Sequence, residues 1–187
     1  LAQFTLNNPD ALQAGNRAAY SVSRKDQYSN LITSGTTTIY LYSNSSSTSD
    51  SFYNAESGGS VITSVAIGAG QSSTNFWYYD TLVGAWTVSA SDNASAPDGV
   101  SGVNDALDSI NVIPGSATQF TLSDPAAVFA GTRAAYTITR KDSFSNLVAS
   151  STNNVFLYTS SAGASSSFWN AVSNGSQITA VTISEGS

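Results

Sequence analysis

The sequence predicts an all-β protein made of tandem antiparallel β-sandwich modules, the second of which is incomplete within these 187 residues. Residues 3–71 align without a gap onto residues 119–187 at a constant offset, and about half of the aligned positions are identical. Apolar residues alternate with the period of two that strands require, and no segment has convincing helical spacing. Seven or eight short strands in a repeat of this length are typical of a sandwich.

The strands predicted for the first module follow one another closely, and each run ends at Gly, Asn, Asp or Ser. They span residues 3–7, 17–25, 31–33, 36–43, 61–68, 74–80, 84–91 and 109–113. We expect residues 51–59 (SFYNAESGG) to form one helical turn between two strands. The alternation within each run should bury one face of each sheet against the other sheet.

The repeat sets the domain boundaries. Module 1 is predicted to span residues 1–114, followed by a short linker at 115–118 and by module 2 at 119–187. The Pro and Gly of the PGSAT junction, together with its shortness, favour a semi-rigid connection. Module 2 ends before counterparts of the FWYYD and GAWTVSAS segments of module 1. Either it is truncated in this chain, or strands from another chain complete it by strand addition.

Composition narrows the class of function. The chain has no Cys and no His, so common catalytic bases, thiol nucleophiles and zinc ligands are missing, and we expect no enzyme activity. The net charge is −6, and no Lys or Arg occurs between Lys25 and Arg133, which argues against nucleic acid and membrane partners. Only 10% of residues are charged, and the Ser- and Thr-rich composition indicates an extracellular, cell-surface protein.

The segment RKDQYSNLITSGTTTIYLYS (24–43) resembles bacterial Ig-like repeats of the invasin/intimin type, the Big family of cell-surface proteins. In that family a strand ends in Asp and a tight turn ends in Asn. Here these turn residues are Asp26 and Asn30, repeated as Asp142 and Asn146. GAWTVSASD (84–92) and VIPGSATQF (112–120) resemble the family's late strand and junction. The family usually has Gly before the turn Asn, where this chain has Ser29 and Ser145. The resemblance implies tandem Ig-like sandwiches without a shared catalytic site.

An acidic stretch, SDNASAPDGVSGVNDALDS (91–109), is the candidate metal site. Clustered carboxylates and amides without a nearby base supply the oxygens that Ca²⁺ prefers. The predicted calcium ligands are Asp92, Asn93, Asp98, Asn104, Asp105 and Asp108. The spacing is not that of an EF-hand, and a solvated loop that makes turns is the alternative reading.

Two strands are apolar on both faces, which predicts an outer aromatic surface. Either loops cover these rings, or the rings pack against a neighbouring chain or a ligand. The residues of this predicted surface are Tyr40, Tyr42, Trp77 and Tyr79, with Phe156 and Tyr158 in the second copy. Arg17 and Arg24 are seven apart and so lie on opposite faces, where we expect them to neutralise Asp10 or Asp26 or to cover rings.

Two functions follow from these observations. The first is a structural segment of a fibre, stalk or surface layer, whose partners are neighbouring copies or adjacent repeats and which polymerises by strand complementation in one variant. The second is an adhesin module that binds a glycan or a surface protein through tip loops, with Tyr53 and Trp169 as the residues that would stack on sugar rings.

Overall fold

In a computed structural model, which describes residues 1–187 except Asn8, Asp124 and Ala126, the chain divides into two compact units, Leu1–Gly115 and Ser116–Ser187. In the described part of unit 1, ten strands are joined by turns and loops. They are β1 (Gln3–Leu6), β2 (Leu12–Gln13), β3 (Arg17–Lys25), β4 (Thr37–Ser43), β5 (Ser51–Tyr53), β6 (Val61–Ile62), β7 (Ser64–Ile67), β8 (Ser73–Tyr79), β9 (Gly84–Ser91) and β10 (Ala106–Ile113). No helix among the described residues is long and apolar enough to cross a membrane.

Unit 1 is a sandwich of two five-stranded sheets. The first sheet has the order β1-β3-β8-β5-β6 and the second has the order β2-β10-β9-β4-β7. All neighbours pair antiparallel except β2, which runs parallel to β10. The order β1-β3-β8-β5 opposite β10-β9-β4 is the ABED and GFC arrangement of immunoglobulin-type domains. The predicted all-β sandwich fold is confirmed.

The core of unit 1 lies between these sheets and is formed by every second residue of each strand. Tyr20 of β3 stacks on Phe76 of β8 at a centroid distance of 5.2 Å, and Phe52 of β5 meets Phe76 edge-on at 5.8 Å. From the second sheet, Val88 and Ile110 are buried in the same cluster. Strands β8, β9 and β10 therefore contribute many of the side chains that fill the core between the two sheets.

Several sequence predictions need correction. The helical turn predicted within 51–59 is wrong, because Phe52 enters the core and its segment pairs as β5 with both β6 and β8. The predicted strand at 31–33 is reduced to one bridge, between Leu31 and Lys25. The predicted strand at 61–68 splits at Thr63 into β6 and β7, which belong to different sheets. Strand β2 was not predicted, and β10 begins at Ala106 rather than at 109.

The described residues of unit 2 form three separate two-stranded sheets. Their order of pairing is β11-β12, β13-β16 and β14-β15, which at the repeat offset corresponds to β1-β3, β4-β7 and β5-β6 of unit 1. In unit 1 the strands that join such pairs into sheets are β8, β9 and β10. The bounds in unit 2 are β11 (Gln119–Leu122), β12 (Ile138–Lys141), β13 (Asn153–Phe156), β14 (Phe168–Trp169), β15 (Gln177–Ile178) and β16 (Ala180–Ile183).

Candidate functional sites

The acidic loop joins the end of β9 to the start of β10, two neighbouring antiparallel strands. Its composition of Asp, Asn, Ser and Gly explains why it leaves the sheet, since these residues favour turns. The loop brings one carboxylate oxygen each of Asp92, Asp98 and Asp105 to within 4.8 Å of one another. No Lys or Arg lies in this stretch of sequence to neutralise them.

Two oxygens of this cluster lack a hydrogen-bond partner. Asp92 Oδ1 and Asp105 Oδ1 are buried, and among the described residues neither accepts a hydrogen bond. The other oxygen of each carboxylate accepts a backbone N–H, from Val103 at 3.2 Å and from Gly99 at 2.7 Å. A buried carboxylate oxygen without a partner is costly, and a cation is one way to satisfy it.

The other three predicted ligands have different positions. Asn93 joins the cluster through its side chain, which donates to Asp98 Oδ2 at 3.2 Å. The backbone of Asn104 pairs with β1, since its N–H donates to Ala2 O and its carbonyl accepts from Phe4. Asp108 lies elsewhere, because its carboxylate accepts the Tyr20 hydroxyl at 2.6 Å. Burial and this hydrogen bond raise the pKa of Tyr20.

The aromatic residues of unit 1 that were predicted to form one outer surface lie on two different surfaces. Tyr40 and Tyr42 of β4 lie half-buried on the outer face of the second sheet, whereas Trp77 and Tyr79 of β8 lie half-buried on the outer face of the first. The Tyr42 hydroxyl donates to the carbonyl of Asn93 at 2.6 Å. Burial raises the pKa of Tyr42, and Tyr40 and the nearby acidic loop add to the rise. In unit 2 the corresponding Phe156 and Tyr158 are exposed.

The turn motif is built alike in both units. Asp26 Oδ1 accepts the N–H groups of Tyr28 and Asn30, and Oδ2 accepts the Asn30 side chain at 3.0 Å. These hydrogen bonds, that of the Asn30 side chain first, lower the pKa of Asp26. In the second copy Asn146 donates in the same way to Asp142.

Ser29 and Ser145 hold the left-handed position of these turns, with φ of 66° and 70°. The resembled family usually has glycine at this point, which explains the preference there, because glycine adopts positive φ without strain. Ser29 and Ser145 therefore carry backbone strain that glycine at the same position would not.

Arg24 and its counterpart Arg140 were not predicted to be core residues. Arg24 is only 1% exposed, and its guanidinium donates to Thr37 Oγ1 and to four backbone carbonyls, those of Ile32, Gly35, Gly68 and Gln71. It therefore ties the ends of several loops together and does not neutralise Asp26 as expected. The sequence did contain a signal for the burial of Arg24. It lies on the same face of strand 17–25 as Ala18, Tyr20 and Val22, and this face points into the core.

No protein-family profile matches the chain, and no curated protein matches it in sequence. Among solved structures, it is similar to domains 4 and 5 of the S-layer protein SbsC, with 21% identity and a TM-score of 0.39, over 60% of this chain and 52% of that one. Against domains 4–9 of SbsC the identity is 18% and the TM-score 0.40, over 100% and 27% of the two chains.

A CARDB domain from Pyrococcus furiosus is similar at 18% identity and a TM-score of 0.36, over 59% of this chain and 93% of that one. The chain spans about half or less of the length of the two SbsC structures named above. At these sequence identities and TM-scores, structural similarity does not assign a function to the chain. The resemblance to the Big family stays a prediction.

Proposed function

We propose that the chain is a structural repeat segment of a microbial cell surface, part of a fibre, a stalk or a surface layer, with neighbouring copies or adjacent repeats as its partners. The observation that carries the proposal is that one β module occurs twice in the chain at a fixed offset. The arginine contacts that hold its strands and loops together occur in both copies. Arg24 recurs as Arg140, and the ring that Arg17 covers, Tyr53, recurs as Trp169 under Arg133. What is repeated is the structural framework of the module and not a binding cleft. A module of this kind serves to lengthen a chain or to present other domains.

The distribution of basic residues supports an extracellular setting. The chain has six Lys and Arg residues in 187, so trypsin-like proteases have few cleavage sites. Two of the six, Arg24 and Arg140, are buried. The lack of cysteine means that core packing rather than disulfides must stabilise each module.

Immunogold electron microscopy of intact cells of the producing organism tests this proposal. We expect label on the outside of unpermeabilised cells, in filaments or in an extended layer. Label that becomes visible only after the cells are permeabilised would contradict an extracellular structural role. An unrelated cytoplasmic protein labelled in parallel controls for leakage.

The alternative is an adhesin that binds a glycan or a surface protein. What favours it is that both units keep an aromatic residue, Tyr53 or Trp169, on a short strand next to a loop. Against it, an arginine covers one face of each ring, which leaves a single face for stacking on a sugar. A glycan array tests it, with Trp169→Ala as the matched variant. Binding that this substitution abolishes would favour the adhesin, and no binding would favour the structural role.

We also propose that the acidic loop binds calcium through Asp92, Asp98 and Asp105. Support comes from their grouped carboxylates and from the two buried oxygens without partners. Gly102 adds to this, because a Cβ there would lie 2.9 Å from Asp92 Oδ2, so the loop backbone approaches the cluster closely. Ca²⁺ takes oxygen ligands in adaptable geometry, and backbone carbonyls and waters can complete the set.

Thermal unfolding with calcium and with chelator tests the calcium site. An ion that binds the folded state alone raises Tm as its concentration exceeds Kd. We expect Asp98→Asn to remove the calcium-dependent rise, and Asp10→Asn, outside the loop, to keep it. If wild-type Tm is the same in calcium and in chelator, the acidic stretch is a plain loop.

A further inference from the structure

The second sheet of unit 1 has an outer face without charged side chains. Of the residues in its five strands, all of which the structure describes, only Asp108 is charged. Asp108 lies on the core side, where its carboxylate accepts the Tyr20 hydroxyl. We call the outer surface of β4, β9 and β10 the neutral face. It is defined by Tyr40, Tyr42, Thr87, Ser89, Leu107 and Ser109. In a chain of net charge −6, this face is where a second copy meets the least repulsion.

The neutral face is flat because its middle strand, β9, carries small side chains. Ser89 and Ser91 point outward, opposite to Ala90 in the core, yet they are only 7% and 0% exposed. Tyr42 of β4 pairs with Ser89, and its hydroxyl donates to the carbonyl of Asn93, beyond the end of β9. The ring is therefore held along the sheet with its hydroxyl already bonded. Flat faces of this kind pack on one another, as the two sheets of a sandwich do.

Leu107 of β10 is the large apolar residue that the neutral face leaves open. It is 67% exposed, and it lies in one row across the sheet with Ser89 and Tyr42. Covering it removes apolar surface from water. The outer face of the first sheet is different, because Arg17 and Lys25 of β3 point outward there. Two copies packed through that face would oppose like charges, so charge selects the neutral face for contact between identical chains.

We propose that the neutral face packs on the neutral face of a second copy of the chain, with the strands of the two copies antiparallel. This inference rests on the proposed structural function and locates one contact between neighbouring copies. Antiparallel packing sets the acidic loops, which follow β9, at opposite ends of the contact, whereas parallel packing would bring their carboxylates together. A twofold axis along the row of Leu107, Ser89 and Tyr42 sets each leucine against its equivalent in the other copy.

The size of the neutral face sets the strength of the contact. Its three strands are seven or eight residues long. Strands about 4.8 Å apart with a rise of about 3.3 Å per residue cover roughly 370 Å² on each copy. A stable complex buries about 800 Å² on each partner. We therefore expect isolated chains to associate weakly, with Kd on the order of 100 µM or above, and the contact to be effective where many copies lie side by side.

Disulfide trapping tests the contact, because the chain has no cysteine of its own. Under mild oxidation at a chain concentration on the order of 100 µM, we expect Leu107→Cys to form a linked dimer at least about tenfold faster than Ala19→Cys. Ala19 is the matched control because it is exposed on the outer face of the first sheet. In urea both variants should cross-link at the same rate, which controls for thiol reactivity.

A charge placed on the neutral face is the second test. Leu107→Asp sets two like charges on the twofold axis, and we expect it to weaken the self-association measured by light scattering at least about tenfold. Ala19→Asp should leave that association unchanged. Mixing Leu107→Asp with Leu107→Lys should restore pairing, because opposite charges then face each other. Leu107 is exposed, so all these variants should keep the wild-type fold, which circular dichroism checks.

Three outcomes would overturn the proposal. The first is equal trapping of folded Leu107→Cys and Ala19→Cys. The second is self-association that Leu107→Asp leaves unchanged. The third is a mixture of the Asp and Lys variants that associates no better than either variant alone, which would mean that position 107 does not face its equivalent. Surface labelling of cells reports on the structural role independently, so the two proposals can fail separately.

Discussion

The guanidinium of Arg17 lies over the ring of Tyr53, with Cζ 3.4 Å from the ring centroid. The same guanidinium donates to the carbonyls of Ala55 at 2.7 Å and Gly58 at 2.8 Å. One side chain of β3 thus holds both the ring of β5 and the loop that follows it. The arrangement recurs in unit 2, where Arg133 lies 3.8 Å from the Trp169 ring centroid and donates to the loop that follows.

We expect Arg17→Lys to lower the free energy of unfolding by about 1 kcal/mol, because an ammonium group cannot keep both the stacking and the two carbonyl contacts. Urea denaturation measures the change. A double-mutant cycle with Tyr53→Leu should give a coupling of about 0.5–1 kcal/mol. Strictly additive effects would mean that the ring and the guanidinium do not stabilise each other.

The buried guanidinium of Arg24 is expected to be the more sensitive site. Arg24→Met removes the donor to four carbonyls, of which that of Gly68 keeps the N–H of Gln71. We expect a loss of about 3 kcal/mol or more in the free energy of unfolding. The matched control is Lys25→Met, next along the strand but half-buried, which should change stability by less than about 0.5 kcal/mol. Similar losses in the two variants would contradict a role specific to the buried side chain.

The left-handed turn at Ser29 makes a prediction about side-chain shape. Glycine accepts a φ of 66° without strain, whereas a β-branched residue does not. Both Ser29→Gly and Ser29→Val remove the weak hydrogen bond from Gln3, so that loss cancels in their comparison. We expect the glycine variant to be more stable than the valine variant by about 1–2 kcal/mol. Equal midpoints in urea would show that the turn changes its conformation.

Asp50 should make stability depend on pH. Burial, and then the charge of Asp80, raises the pKa of Asp50, while a hydrogen bond with Ser43 opposes the rise. A carboxyl group with a raised folded-state pKa stabilises the fold most below its unfolded pKa, near about 3.9, and this contribution is lost as pH rises through the folded value. Asp50→Asn removes that dependence. We therefore expect Tm of the variant to rise relative to wild type between about pH 4 and pH 7, and parallel curves would contradict it.

Much of unit 1 followed from alternation in the sequence. The strand at 17–25 has the predicted bounds, and 84–91 does as well, because long runs of period two leave little choice of register. The two-residue strand β2 and the three-residue strand β5 escaped prediction, because segments so short carry too little periodicity and exist only through their partners in the sheet.

Part of the candidate calcium site could be predicted from the sequence. Proximity along the chain identified Asp92, Asp98 and Asp105, which lie on one loop. It could not separate Asp108, whose place is decided by the hydroxyl of Tyr20, distant in sequence. Alternation on strand 17–25 indicates that Arg24 points inward, but it cannot reveal the loop carbonyls that its guanidinium binds there.

Native-state hydrogen exchange on the 187-residue chain alone tests most directly whether the segment 72–114 closes a copy of this structural module. If it does, amides at the paired positions Tyr20 and Phe76 should exchange slowly, near the rate set by global unfolding. The equivalent amides of Tyr136 and Ile138 should exchange fast. Equal, strong protection of both units would contradict the claim, since module 2 would then be closed without strands of the 72–114 pattern.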